Sequence, residues 1–306
     1  MEERAALATV VATRRSAPRP VGSKLVVFES GRLHGSVSGG CVESDVAEQA
    51  KEVIAGGEPR LLTYGITDDQ AWGIGLPCGG EIDVFIQRLE GELPQDGDDA
   101  RLTVLEGPRA GQQWLADVEG PSRVLELDGE KVFAEVPAVR LRLVVVGATD
   151  TAEELCRAAG ALGWGTTVVD PRPGLVTRER LPSPDELVVA WPDEGLEKLE
   201  LNGDTAVVVL THEERLDVPA LTTALAGEPF YVGAIGSRKT QAKRRERLLE
   251  AGLSEERLDG LAGPAGLDLG ADTPAETAVS ILAEVLAVRA GRSGGRLAER
   301  SGPIHA

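Results

Sequence analysis

The sequence has few of the residues that build metal and disulfide frameworks: three cysteines and three histidines in 306 residues. Cys41, Cys78 and Cys156 are odd in number and widely spaced, so they form no disulfide framework. No CxxC pair is present to hold zinc or an iron–sulfur cluster. Free thiols suit a reducing compartment, so a cytoplasmic location is expected. Positive charge is also scarce. With 32 basic against 50 acidic residues the net charge is −18, which argues against nucleic acid or an anionic membrane as partner. A local basic cluster or a helix N-terminus still suffices for a small anion. No apolar run approaches the ~18 residues that span a bilayer. Met1-Glu2-Glu3-Arg4 is no basic n-region leading into an apolar stretch, so secretion is not expected.

What is present reads as soluble and globular, at 42% hydrophobic and 27% charged. The length allows two domains of roughly 100–200 residues each. Residues 1–90 read as an α+β unit. Ala5–Thr13 is a strand, and Lys24–Phe28 with Arg32–Ser36 is a hairpin. Val42, Val46, Ala50 and Val53 recur at helical spacing over residues 42–55, and Arg60–Tyr64 and Glu81–Leu89 are further strands. Residues 91–140 read as an acidic linker followed by an accessory β segment, with a hairpin over Leu125–Val136 around Asp128-Gly129. From residue 141 to 306, strands at Leu141–Val146, Thr166–Val169, Glu186–Ala190, Thr205–Leu210 and Phe230–Ile235 alternate with helical patterns. That rhythm predicts an α/β, Rossmann-like, doubly wound parallel sheet.

Three stretches carry candidate chemistry. The first is a partial dinucleotide fingerprint. Gly147 stands where the first strand turns into a helix, and Asp170 ends the second strand 23 residues later. The intervening Ala-Thr-Asp-Thr lacks the second glycine, and Asp150 places a carboxylate at the helix start, where it can cap the helix. A modified NAD(P) site and an empty Rossmann-shaped unit are both open readings. The second stretch is Gly236-Ser237-Arg238-Lys239, at a late strand-to-helix turn. It suits an anion or plain capping, and Thr211-His212 lies on the same sheet edge. The third comprises two glycine-cysteine elements, Ser38-Gly39-Gly40-Cys41 and Cys78-Gly79-Gly80. Paired glycines let a ligand approach the main chain, and a thiol next to a helix N-terminus favours its thiolate. A soft thiolate suits a soft metal such as molybdenum or copper, with Cys78 as a candidate metal contact, and a small apolar residue in a tight turn is the other open reading of both cysteines. Cys156 falls within a helix and reads as core.

Taken together, Gly35-Ser-Val-Ser-Gly-Gly-Cys-Val-Glu43, Gly75-Leu-Pro-Cys-Gly-Gly-Glu-Ile-Asp-Val84, Asp170-Pro-Arg-Pro, Tyr231–Lys239 and Gly266–Ala278 occur in one order. In that order they resemble the xanthine dehydrogenase accessory factor family, XdhC/CoxI. The resemblance implies a chaperone with no turnover of its own. Such a protein binds the molybdenum cofactor (molybdopterin) and guards it while its sulfido ligand is installed by a sulfurtransferase. It then delivers the cofactor to a molybdenum hydroxylase apoenzyme of the xanthine or carbon monoxide dehydrogenase type. It further implies that Cys78 binds the cofactor; on that reading Cys41 is a second thiol, and Arg19, Lys24, Arg238 or Lys239 are cations placed to balance its charge. The family's usual Gly-Ala-Gly turn is here Gly147-Ala148-Thr149, which weakens the alternative, an NAD(P)-dependent oxidoreductase. The long helix predicted over Thr273–Arg289 is the candidate surface for a homodimer.

Overall fold

The computed structural model describes residues 3–15, 17–65, 80–91, 99–299 and 301. The chain divides into two compact units, Met1–Ala138 with Arg300–Ala306, and Val139–Glu299.

The first unit is built on an antiparallel sheet of β1 (Ala5–Arg14), β2 (Lys24–Phe28), β3 (Leu33–Gly35), β4 (Arg60–Tyr64) and β5 (Glu81–Leu89). Their order is β3-β2-β1-β5-β4. The period-2 alternation of a strand puts Ala6, Ala8 and Val10 on one face and Val11 on the other. The first face packs against helix α1 (Glu43–Ile54) through Val46, Ala50 and Val53, all fully buried. Each valine so buried contributes roughly 1.5–3 kcal/mol. The helix spans Glu43–Ile54 rather than the wider 42–55, and both flanking strands, β4 and β5, fall where the sequence put them.

The opposite face meets a second antiparallel sheet, β6 (Ala100–Val104), β7 (Gln113–Ala116), β8 (Arg123–Leu127) and β9 (Glu130–Glu135), in the order β7-β6-β9-β8. Asp128 and Gly129 take φ of 51° and 79°, the doubly left-handed turn that matches hairpin twist. Phe133 of β9 and Leu105, just past the end of β6, bury against Val11 and Phe85 of the first sheet. The four strands therefore belong to the same compact unit as the first ninety residues.

The second unit is a parallel sheet of β10 (Arg142–Val146), β11 (Gly165–Val169), β12 (Glu186–Val188), β13 (Thr205–Val209), β14 (Tyr231–Ala234) and β15 (Leu261–Ala262). The order β12-β11-β10-β13-β14-β15 reverses direction between β10 and β13, as in a doubly wound Rossmann sheet. Its two central strands, β10 and β13, are nearly continuous apolar runs because both faces are covered. Leu143, Val145 and Val208 face α2 (Asp150–Ala161) and α7 (Pro274–Arg289). Val144, Val146, Val207 and Val209 face α3 (Pro192–Glu197), α4 (Glu214–Ala226) and α5 (Arg238–Glu250). Short α6 (Glu255–Asp259) leads into β15. A reciprocal capping box of Thr273 and Glu276 starts α7. Cys156 is fully buried in α2, and that burial pushes its thiol up to about 12.

Candidate functional site

Most candidate residues within the described chain lie on three turns, one in the first unit and two in the second. In the first unit, β3 passes through Ser36–Val42 into α1. Glu43, the first residue of that helix, turns its carboxylate back into the loop. Oε1 accepts from the Ser36 hydroxyl (2.6 Å) and from the N–H groups of Val37 (3.1 Å) and Ser38 (2.8 Å). Oε2 accepts from the Ser38 hydroxyl and from Gly40 N–H (2.8 Å). The two hydroxyls accept in turn: Ser36 Oγ from Gly39 N–H (2.8 Å), Ser38 Oγ from the N–H groups of Cys41 and Val42 (2.9 Å each). Partial burial works against the charge on Glu43, yet the Ser36 and Ser38 hydroxyls with the Ser38 N–H bring its carboxyl down to about 2.

Gly39 and Gly40 have φ of 75° and 112°, and an added Cβ would meet open space at either. Glycine is needed there for backbone conformation and not for crowding. Both glycines are exposed, while Cys41 is half-buried, its flank against the core that Val42 and Val46 complete. Nothing in the helical spacing of residues 42–55 announces the Ser36–Glu43 carboxylate network. The signal was two serines three residues or fewer upstream of the paired glycines.

Cys78 and Gly79 lie outside the described residues; Gly80 lies at the foot of β5 and is buried. Around that end of the sheet, Tyr64 donates to Asp45 of α1 (2.8 Å), and Arg14 pairs with Glu81 and Asp83. Lys24, one of the expected charge-balancing cations, is paired with Glu135 within the unit.

In the second unit, the switch point lies between the ends of β10 and β13. Gly147 has φ of 112°, and a Cβ there would lie 2.7 Å from Thr211 Cγ2 at the end of β13. The cap of α2 is Thr149, whose hydroxyl accepts from Ala152 N–H; Asp150, expected to cap, is one residue inside the helix and exposed. Asp170 is fully buried. Its Oδ2 accepts from Ala148 N–H (2.9 Å) and Arg172 Nη2 (2.6 Å), and its Oδ1 from Arg172 N–H (2.9 Å) and Nε (2.8 Å). Desolvation opposes its charge, but the Arg172 side chain and the Ala148 and Arg172 N–H groups outweigh it, holding the carboxyl below its ordinary range. Arg172 then reaches Glu213, past the end of β13, at 2.9 Å.

These residues do not fit an NAD(P) dinucleotide bound in the usual way. A ribose needs a carboxylate with free acceptor positions, and the pyrophosphate needs amide donors at the first turn. Here the carboxylate and the Ala148 amide satisfy each other. Asp170, the acid of the partial dinucleotide fingerprint, has its acceptor positions occupied by Ala148 and Arg172.

At the end of β14, Gly236 leads into α5. Ser237 caps that helix by accepting from Thr240 N–H (3.2 Å), and Arg238 and Lys239 are exposed. Beneath the turn runs a network absent from the sequence reading. Arg244 Nη2 bonds Asp217 (2.6 Å), both side chains nearly fully buried, and Arg244 Nη1 bonds Ile235 O (3.1 Å). Gln241 Nε2 donates to Ala234 O (2.9 Å), and Thr211 donates its hydroxyl to Asp217. These bonds fix the turn, and His212 is exposed beside it.

The chain matches the family model described as XdhC and CoxI family over residues 1–65 and the XdhC Rossmann domain over residues 143–285. It is 32% identical over 291 residues to the molybdenum cofactor insertion chaperone PaoD of Escherichia coli (strain K12), covering 93% of this chain and 83% of that protein. It is 28% identical to a Bacillus subtilis (strain 168) protein described as a probable xanthine dehydrogenase component, covering 94% of both sequences. A crystal structure described as a xanthine dehydrogenase from Bacillus halodurans matches with a TM-score of 0.74 and 25% identity, over 98% of this chain and 94% of that one. With both units matched and a relative above 30% identity over most of its length, the chain belongs to the XdhC and CoxI family.

Proposed function

We propose that the protein is a chaperone for the molybdenum cofactor. It takes up the cofactor, shelters it while a sulfurtransferase installs the terminal sulfur, and passes it to a xanthine dehydrogenase-type apoenzyme. The observation that carries this reading is the similarity to a named insertion chaperone, which runs through both units and not through one motif. The chemistry of the first unit is in keeping with it. A half-exposed thiol on a glycine turn, with its backbone donors spent internally, is a soft ligand surface and not an oxyanion trap. We assign Cys78 as the thiol that meets the molybdenum centre or its sulfur ligand and Cys41 as the second thiol, in a cytoplasmic protein that works as a homodimer.

A chaperone of this kind turns over no substrate, so retention is the measurable activity. Purified protein is loaded with cofactor, desalted, and assayed for bound molybdopterin by oxidation to its fluorescent derivative. Parent protein should retain bound cofactor and Cys78→Ala should lose most of it. Equal retention by the two removes Cys78 from the assignment, and no retention by the parent removes the function.

A further inference from the structure

Every backbone N–H from Val37 to Val42 ends on the Glu43 carboxylate or on one of the two serine hydroxyls that serve it. The N–H of Ser36 is spent on Lys24 O (2.9 Å). A hydroxyl that accepts an N–H still has its own proton to place. Ser36 and Ser38 both place it on Glu43, so the carboxylate is the acceptor on which the chain of bonds terminates. Ser38 is itself buried, and the Cys41 N–H reaches the carboxylate only through it. The loop thus has the form of an anion nest whose anion is covalently part of the next helix.

We propose that Glu43 is the positioning residue for Cys41: its ionised carboxylate fills the nest and thereby holds the thiol at its place on the turn. The proposal rests on the reading of Cys41 as a cofactor thiol for its purpose, but not for its test. Neutral or shorter side chains fail in different ways. Glutamine has the right length but brings an NH2 group against donors, and alanine vacates the nest and leaves five donors without an acceptor.

The test uses the full chain in a Cys78→Ser background, where Cys156 is buried and silent and iodoacetamide labelling followed by mass spectrometry reads Cys41 alone. Glu43→Ala should label Cys41 at least about threefold faster than its parent, because a loop opening that the carboxylate suppresses becomes populated. Sodium acetate, a carboxylate small enough for the vacated nest, should bring the rate back toward the parental value in a saturable way, while sodium chloride at equal ionic strength should not. A rate raised by general destabilisation, unconnected with the vacated nest, would give no acetate rescue. An unchanged rate, or a raised rate that acetate leaves raised, overturns the proposal. If Glu43→Ala lacks native circular dichroism, Glu43→Gln carries the test: a raised rate in a folded protein supports the proposal and a parental rate overturns it. Cofactor retention by the parent is measured separately, so failure of the chaperone reading would leave the labelling result standing.

Discussion

The two units each contain a carboxylate turned back onto the loop that carries it, and they put it to opposite ends. Glu43 is held by hydroxyls and backbone amides, with no cation among its partners in the described residues. Asp170 is held by one amide of the neighbouring turn and by Arg172, which ties it on to Glu213. The first arrangement consumes donors and leaves a thiol half-exposed at the loop. The second occupies the acceptor positions of the carboxylate and ties up the Ala148 amide. An internal carboxylate can therefore shape a site or close one, and its partners decide which.

The largest expected effect separates the two. Asp170→Ala leaves the Ala148 amide without its acceptor in a buried setting and Arg172, a third exposed, with Glu213 alone, and should cost about 2–3 kcal/mol. In urea unfolding followed by native-state hydrogen exchange, protection should fall across β10 and β11 and hold in β1 and β5. A uniform loss in both units would break the comparison. Glu43→Gln comes next, at about 1–2 kcal/mol for the charged hydrogen bonds it weakens, with lost protection confined to Ser36–Val46. The pH dependence sharpens this. The carboxyl of Glu43 is lowered from 4.5 to about 2 in the folded protein. Its stabilising contribution is therefore present above the unfolded value and is lost as pH falls through the folded one. Parent protein should lose first-unit stability between pH 4.5 and pH 2, and Glu43→Gln should show a flatter profile over that window. Parallel profiles would remove the carboxylate from the account. The smallest effect belongs to Asp150→Ala, which removes an exposed acid from the first turn of α2 but leaves the Thr149 cap, and should cost about 0.5 kcal/mol by thermal melt.

Much of the fold was legible in the sequence because periodicity is a property of many residues at once. The valine runs of β10 and β13 and the helical spacing of Val46, Ala50 and Val53 announced their elements. Asp128-Gly129 announced a hairpin because two left-handed residues in sequence have few other uses. The two-residue β15 and five-residue α6 went unseen, since neither is long enough to show a period. At the candidate sites, residue type was legible and direction was not. A spacing of 23 residues put an acid at the end of β11, but only the fold shows that carboxylate facing inward to Ala148 and Arg172. Likewise the Asp217–Arg244 pair joins residues 27 apart on different helices, a contact no local pattern encodes.

The close approach at Gly147 has a consequence for reading related sequences. A methyl group at that position would strike the side chain of Thr211, so the glycine is required by the neighbouring strand whether or not any phosphate ever arrives. A glycine that a neighbour demands is spelled the same way as one that a ligand demands. In chains of this fold, the residue that follows the fourth strand is the place to look before a lone strand-end glycine is counted as a nucleotide signature.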